Sequence, residues 1–113
     1  MSDCLFCKIA DGKIPAKIIA QNDHALAFRD LNPQAPTHVL IIPRKHIATL
    51  NDLTDGDAEL VGRLHLLARQ VAADEQLNDG WRTVFNVGAH AGQTVFHIHL
   101  HLLGGRTLGW PPG

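Results

Sequence analysis

A chain of 113 residues, with 45% apolar and 19% charged side chains, is expected to form one domain over residues 1–113 around one core. Ten Lys and Arg against eleven Asp and Glu leave a formal net charge of -1, which argues against a nucleic-acid backbone as partner. The sequence shows neither a signal peptide nor the roughly 20 apolar residues of a membrane span, so a cytoplasmic protein without a membrane partner is expected.

The first predicted element is a short helical turn over residues 4–10, closed by Asp11-Gly12. It carries Cys4 and Cys7. Cytoplasmic thiols stay reduced, so the Cys-x-x-Cys spacing indicates half of a metal site before it indicates a disulfide. The alternative is a pair of small buried residues beside a helical turn.

Three strands are predicted in the first half of the chain. Two of them, over 17–21 and 24–29, are joined by a tight turn at Asn22-Asp23. A loop with two prolines, 30–36, leads to a third strand over 38–43. That strand is apolar through its middle, so we expect it to lie centrally with both faces covered.

The second half begins with the one long amphipathic helix. Thr54 is its predicted cap and it ends near 78–80, with apolar residues at helical spacing: Leu60, Val61, Leu64, Leu67, Ala68, Val71 and Ala72. Strands over 82–87 and 94–103 follow, separated by a loop of small residues. The prediction is an α+β fold, an antiparallel sheet of about five strands with one long helix and a short N-terminal helix. One helix cannot cover such a sheet, so a second copy is expected to bury an edge or face.

The last predicted strand contains three histidines at alternating positions. Side chains of a strand point alternately to opposite faces, so one face presents histidines and the other aliphatic residues: His97, His99 and His101 against Ile98, Leu100 and Leu102. Same-face neighbours lie roughly 7 Å apart, which allows three imidazoles to converge on one small group. The alternative is a plain solvent face, but such faces rarely carry three histidines.

Three chemistries use clustered histidines. A catalytic zinc site built from this strand alone is the weakest, because zinc requires bonds of about 2.0–2.1 Å that single alternation rarely gives to three ligands. A structural zinc site could combine Cys4 and Cys7 with two histidines, for which His46 and His97 are candidates. The third chemistry is attack on phosphorus by one neutral imidazole, assisted by a neighbouring ring.

A loop that could bind an oxyanion precedes the histidines. Residues 88–94 include glycines whose backbone N–H groups can approach phosphate oxygens, and the amide and hydroxyl donors of Gln93 and Thr94. The alternative is an ordinary hairpin connection. Beside three histidines the phosphate-binding interpretation is favoured.

The pattern His97-x-His99-x-His101-Leu102-Leu103 is the histidine triad motif, and the chain resembles the histidine triad (HIT) superfamily. It is most similar to the Hint branch of purine nucleoside phosphoramidases. The similarity extends over nearly the whole length: Lys8-Ile9, Ile14-Pro15-Ala16-Lys17-Ile18, Ala27-Phe28, Pro33-Gln34-Ala35-Pro36-Thr37-His38, Ile42-Pro43, Gly92-Gln93, Gly104-Gly105-Arg106 and Trp110-Pro111-Pro112-Gly113.

This resemblance implies a role for each histidine. His99 would attack the α-phosphorus of a nucleoside 5'-phosphoramidate, expel the amine and form a nucleotidyl-histidine that water then hydrolyses. His101 and His38 would assist at the phosphate, and His97 would orient the site. The resemblance further implies contacts to the substrate from Phe6, Ile9, Ile14, Asp30, Leu31, Asn86, Gly92, Gln93, Thr94 and Val95. Of these, Asp30 would bind the ribose hydroxyls, and Phe6, Ile9, Ile14 and Leu31 would form the purine slot.

The family also implies a homodimer whose two sheets join, and a purine nucleotide as substrate. Thr94 departs from the pattern, because many members have serine there. Cys4 and Cys7 are absent from animal Hint proteins but present in bacterial members, where such a pair holds structural zinc with histidines that correspond to His46 and His97. The zinc would not take part in the reaction.

Two other functions remain open at this stage. One is hydrolysis of dinucleoside polyphosphates by a different branch of the superfamily. The other is a nucleotide-binding interaction module in which catalysis is incidental.

Overall fold

The structure, a computed structural model, describes residues 3–113, so Met1 and Ser2 of the expected domain lie outside the described residues. Its strands are β1 (Ile18–Gln21), β2 (Ala25–Arg29), β3 (Thr37–Pro43), β4 (Trp81–Val84) and β5 (Leu100–Gly104), and its helices are α1 (Leu5–Ala10) and α2 (Ala58–Asp74). The strands form one antiparallel sheet in the order β1-β2-β3-β5-β4. The predicted α+β fold, with one long and one short helix, is confirmed.

Strand β3 lies at the centre of the sheet, and all seven of its residues are buried. Val39 and Ile41 face α2, where they pack in one cluster with residues such as Leu64. Leu40 and Ile42 pack on the opposite face. The unbroken apolar run therefore reflects a strand that is covered on both sides, as predicted.

Helix α1 covers part of the face opposite α2. Phe6 and Ile9 are buried there against apolar residues of β2 and β3, which include Phe28. The rings of Phe6 and Phe28 meet edge to face with centroids 5.6 Å apart. Because α1 is only six residues long, its position depends on this packing more than on its own helical stability.

The first hairpin forms at the predicted turn. Asn22 Oδ1 accepts hydrogen bonds from the backbone N–H groups of His24, at 2.8 Å, and Ala25, at 3.0 Å. This use of an asparagine side chain to close a turn is the reason that asparagine favours such positions. The turn sets the register in which Gln21 pairs with Leu26.

The long helix is shorter than predicted at both ends. Thr54 precedes a separate 3-10 turn, Asp55–Asp57, in which Asp57 Oδ2 accepts from the Thr54 N–H at 3.0 Å. Helix α2 starts only at Ala58. At the other end Gln76 adopts a left-handed φ of 58°, which stops the helix several residues before the predicted end at 78–80.

The last two strands are also shorter than predicted. The structure has β4 and β5 where strands over 82–87 and 94–103 were predicted, and before β5 the Ile98 N–H donates outside the sheet ladder, to the Ile47 carbonyl oxygen at 2.7 Å. His97 and His99 thus lie before the strand rather than inside it. The predicted alternation of faces still holds, since Ile98 and Leu100 pack with the α2 cluster.

No helix among residues 3–113 has both the length and the apolar character needed to cross a bilayer.

Candidate active site and metal centre

The candidate active site lies on the face of the sheet that α1 covers, across β3 and β5. His38 follows the first residue of β3, and His101 lies on β5, which pairs with β3. Asp30 comes directly after β2, and its Oδ2 is 3.4 Å from His38 Nε2. His99 precedes β5, with its ring centroid 5.0 Å from that of His101. Four of the predicted site residues are therefore brought together by three neighbouring strands.

Helix α1 forms one wall of this site. The ring of Phe6 meets the ring of His99 edge to face, with centroids 5.0 Å apart, and the ring of His97 at 6.0 Å. Ile9 is buried in the same cluster as Phe6, while Ile14 and Val95 pack against that cluster and are partly buried. Three of the four residues that were predicted to form the purine slot, Phe6, Ile9 and Ile14, therefore pack in or against one cluster, and their role as a slot stays a prediction.

Hydrogen bonds assign the tautomers of His38 and His101. The Gln34 N–H donates to His38 Nδ1 at 3.0 Å, so the proton of the neutral His38 ring is on Nε2. His38 Nε2 lies 2.9 Å from His101 Nδ1 and therefore donates to it. The proton of His101 is then on Nε2, a buried atom without a hydrogen-bond partner among the described residues. This series of hydrogen bonds therefore ends at the Nε2–H of His101, which is free to donate inside the site.

His99 has the opposite arrangement. Its Nδ1 lies 2.8 Å from the backbone carbonyl oxygen of His97 and must donate to it, since a carbonyl oxygen only accepts. The lone pair of the neutral ring is therefore on Nε2. Burial lowers the pKa of His99, and the opposing effects of the His97 carbonyl and Asp30 are smaller. A neutral imidazole with a free nitrogen is a competent nucleophile.

The two assisting histidines are also held neutral. Burial, followed by the nearby His99 and His38, lowers the pKa of His101 from 6.5 to about 4. Burial likewise lowers the pKa of His38 and outweighs the attraction of Asp30. At neutral pH these rings act as hydrogen-bond donors and acceptors, not as cations.

The pKa of His101 predicts an acid-sensitive contribution to stability. His101 faces the rings of His38 and His99 and the Asp30 carboxylate, and between pH 6.5 and about 4 its ring stays neutral in the folded chain. The unfolded chain binds a proton in that window, so stability falls as the pH is lowered. The lowered pKa of His101 corresponds to roughly 2 kcal/mol in the free energy of unfolding, after a reduction for the partial exposure of the ring.

Urea unfolding between pH 4.5 and 7.5 measures this effect. In His101→Asn the free energy of unfolding should change less steeply with pH than in the wild-type protein. His65→Asn, at an exposed position of α2, should keep the wild-type slope. Equal slopes in the wild-type protein and His101→Asn would contradict the assignment.

Asp30, His38 and His101 also offer three possible metal-ligand atoms within 4.8 Å of one another. A metal bound by His38 Nε2 would require the ring proton on Nδ1, where it would face the Gln34 N–H at 3.0 Å. The tautomers therefore favour a hydrogen-bonded relay over a metal ion in this group.

A second cluster lies on the α1 side of the sheet and fits a metal ion. It consists of Cys4, Cys7, His46 and His97, whose ligand atoms all lie within 4.8 Å of one another. Separations from thiol sulfur to imidazole Nδ1 are 3.3 Å for Cys4–His97, 3.4 Å for Cys7–His46 and 3.5 Å for Cys7–His97. Tetrahedral zinc with bonds of about 2.3 Å to sulfur and 2.0–2.1 Å to nitrogen separates such atoms by roughly 3.5 Å. The four predicted ligands are thus correctly spaced for zinc.

His97 is oriented for this role. Its ring is fully buried, and Nε2 lies 2.8 Å from the Pro43 carbonyl oxygen, to which it donates. Nδ1 is therefore unprotonated and faces the thiols, which is the arrangement of a metal-binding histidine held by a backbone acceptor. Burial, together with the neighbouring Cys4, raises the pKa of the Cys7 thiol to about 11, so metal binding would release its proton.

The loop before the triad is held by Gln93. Its buried amide donates from Nε2 to the carbonyl oxygens of Ala48, at 2.8 Å, and Val95, at 3.1 Å, and Oε1 accepts from the Gly88 N–H at 3.0 Å. Both hydrogens of the amide are used within the described chain, and the predicted contact of Gln93 with phosphate stays a prediction. Gly92, with a φ of 93°, ends a 3-10 turn in this loop.

For three other predicted binding residues the structure gives their exposure. Thr94 is exposed, and Asn86 is half-buried in the segment that follows β4. Leu31 is 98% exposed and contributes to no apolar slot within the described chain.

The backbone groups that orient the rings are not among the residues predicted from the sequence. The Gln34 N–H and the carbonyl oxygens of Pro43 and His97 decide which nitrogen of each histidine is free. Every residue except proline offers the same backbone donor and acceptor, so no residue type marks these positions. The only available signal was that each lies in or beside a segment that resembles the family.

Comparison with known proteins agrees with this geometry. The family model for the HIT domain matches residues 11–108. The chain belongs to the HIT family. An uncharacterized HIT-like protein of Synechocystis is 53% identical over 98% of this chain and 97% of its own.

Solved structures of HIT proteins have the same fold. A HIT family hydrolase of Legionella pneumophila superposes with a TM-score of 0.96 at 57% identity, covering 98% of this chain and 100% of that chain. A histidine triad protein of Clostridium difficile gives 0.94 at 40% identity, covering 96% of each. A histidine triad nucleotide-binding protein of Candida albicans gives 0.82 at 30% identity, covering 96% of this chain and 83% of that chain.

Proposed function

We propose that this HIT protein is a purine nucleoside phosphoramidase of the Hint branch. It would hydrolyse nucleoside 5'-phosphoramidates, such as AMP or GMP linked to an amine, to the nucleoside monophosphate and the free amine. One observation carries the proposal: the Nδ1–H of the buried His99 is bound to its own chain at 2.8 Å, which leaves Nε2 as a nucleophile. The resemblance to the Hint branch supplies the substrate class.

In the first step His99 Nε2 forms a bond to the α-phosphorus while the bond from phosphorus to the amine nitrogen breaks. The hydrogen bond from Nδ1 to the His97 carbonyl oxygen stabilises the positive charge that the ring acquires. In the second step water attacks the phosphorus, the bond to His99 breaks, and the monophosphate leaves. The neutral His99 ring is then restored.

The leaving nitrogen must gain a proton as its bond to phosphorus breaks. Solvent supplies this proton, because a neutral His101 or His38 that gave up its ring proton would become an anion. The free Nε2–H of His101 instead donates a hydrogen bond at the reacting phosphate, and the bond from His38 Nε2 to His101 Nδ1, 2.9 Å long, holds the ring in that orientation. Asp30, 3.4 Å from His38 Nε2, favours the Nε2–H tautomer of His38. The attacking water releases one proton to solvent in the second step, so the cycle balances.

Binding of the nucleotide would divide among three groups. Phe6, Ile9, Ile14 and Val95 supply apolar surface for the base, to which Leu31 would add only on closure over a ligand. The Asp30 carboxylate can accept from two vicinal ribose hydroxyls. The Thr94 hydroxyl, the Asn86 amide and the backbone at Gly92 would face the phosphate, on a loop that Gln93 holds in place.

The metal centre would have a structural role. Zinc bound by Cys4, Cys7, His46 and His97 would tether α1 to the sheet and so keep Phe6 against His99. This site also agrees with a cytoplasmic location, where the thiols stay reduced, and cell fractionation tests that location.

A homodimer is proposed as the functional state. Trp81 lies on the edge strand β4 and is 41% exposed, and the nearby Arg82 guanidinium lies 5.8 Å from the ring of Trp110, which is 81% exposed. Two exposed tryptophans beside a sheet edge fit a surface that a second copy covers. Sedimentation equilibrium tests this, and a monomer at micromolar concentration would contradict it.

The decisive experiment compares two substrate classes on the same protein. Adenosine and guanosine 5'-phosphoramidates of a simple amine are expected to turn over at least about a hundredfold faster, in kcat/KM, than diadenosine polyphosphates. Amine release and nucleotide products are measured separately. Faster cleavage of the polyphosphates would favour the other branch, and tight nucleotide binding without turnover of either class would favour an interaction module.

A further inference from the structure

Arg106 lies just after β5 and binds the loop between β2 and β3. Its guanidinium donates from Nε and Nη2 to the Gln34 carbonyl oxygen, at 3.2 Å and 3.0 Å. It also donates from Nη1 to the Thr107 carbonyl oxygen at 3.0 Å. Two donors of one planar group on one acceptor fix both the distance and the direction of the contact.

The same loop is packed closely against the residue before Arg106. Gly105 has a φ of 91°, and a Cβ atom at this position would lie 2.9 Å from Pro36 Cβ. Only glycine combines that conformation with so close an approach. The end of β5 and the 30–36 loop are thus fitted together at two successive residues.

Gln34, the residue that Arg106 binds, also determines which ring nitrogen of His38 carries the proton. Gln34 donates its N–H to His38 Nδ1, and its carbonyl oxygen, on the other side of the same Cα, is the acceptor for Arg106. If the loop moved, His38 could place its proton on either nitrogen. Rings that carried it on Nδ1 could no longer donate from Nε2 to His101.

We propose that Arg106 is a positioning residue that fixes the tautomer of His38 through Gln34, and so sets the direction of the hydrogen-bonded relay to His101. The rate effect rests on the proposed phosphoramidase function, whereas the tautomer effect does not. Strand β5 would then supply the hydrogen-bond donor His101, and Arg106, five residues later and just beyond the strand, would orient the relay.

The test uses Arg106→Ala, Arg106→Lys and, as a matched control, Arg69→Ala at an exposed arginine of α2. Ring nitrogen NMR of His38 should show a single Nε2–H tautomer in the wild-type protein and in Arg69→Ala, and a mixture in Arg106→Ala. With the phosphoramidate, Arg106→Ala should lower kcat about tenfold or more with a smaller change in KM, because misplacement of a catalytic group by about 1 Å can cost a hundredfold.

Two further measurements separate positioning from folding. Millimolar guanidinium ion should partly restore kcat in Arg106→Ala but not change the wild-type protein, and Arg106→Lys should be intermediate, since its ammonium lacks the planar pair of donors. A single wild-type tautomer in Arg106→Ala would overturn the proposal. If the wild-type protein shows no turnover, the NMR result still decides the tautomer claim, and if Arg106→Ala does not fold, Arg106→Lys decides it.

Discussion

Replacing His99 with alanine is expected to abolish amine release from an adenosine 5'-phosphoramidate, with a loss in kcat of at least about 10⁴-fold. The reason is the loss of the free Nε2, for which no other atom in the site substitutes. His101 has its lone pair on Nδ1, 2.9 Å from His38, and His97 has its own on the side of the thiols. Rapid quenching and mass spectrometry should detect a nucleotidyl adduct at His99 in the wild-type protein.

The fold should tolerate this substitution. His99 makes one hydrogen bond, to the carbonyl oxygen of His97, and contacts Phe6. Removing the ring should lower the free energy of unfolding by about 1–3 kcal/mol, and nucleotide binding should remain measurable. His65→Ala, which alters an exposed histidine of α2, is the matched control and should keep wild-type turnover. Turnover of His99→Ala within tenfold of the wild-type protein would end the proposed mechanism.

The substitution Cys7→Ser is expected to release the metal and to destabilise the protein. A metal present at about a thousand times its dissociation constant stabilises a folded chain by about 4 kcal/mol, and this contribution would be lost. Metal content by elemental analysis and the free energy of unfolding in urea measure the two effects. The matched control is Lys8→Ser, the next residue of the same helix, which should keep the metal.

The kinetic effect of Cys7→Ser should differ from that of His99→Ala. Loosening α1 displaces Phe6 from the base slot but leaves the free nitrogen of His99 in place, so KM should rise more than kcat falls. The main effects of His97→Ala should likewise be the loss of metal and of stability. A protein purified without added metal, in reduced form, with a zinc content near zero would contradict the metal assignment.

The sheet and its two faces could be predicted because they follow from local patterns. The apolar run of β3 reflects burial on both faces of the sheet. The alternation of histidines with aliphatic residues reflects burial of the aliphatic side chains on the α2 face. The metal ligands were also predictable as residue types, and the structure brings Cys4 and His97 within 3.3 Å although they are 93 residues apart. The roles of individual residues at the phosphate remain predictions.

Other features depend on contacts that no local pattern contains. The bond from the Ile98 N–H to Ile47 precedes β5, and the end of α2 is decided by a left-handed Gln76. The contact between Arg106 and Gln34 joins residues 72 positions apart through a backbone oxygen. Such contacts depend on how distant segments are placed by the whole fold, so the residue types alone do not predict them.

His97 takes part in both the thiol cluster and the candidate active site. Its ring faces the thiols, and its backbone carbonyl oxygen accepts a hydrogen bond from His99 Nδ1. Coupling between two sites is a shared free energy, so each site must influence the other by the same factor. If zinc at the thiol cluster strengthens the binding of a nucleotide at His99, the nucleotide must strengthen the binding of zinc by the same factor. In that case a high nucleotide concentration would keep the protein metallated at zinc concentrations at which the unliganded protein would lose the ion.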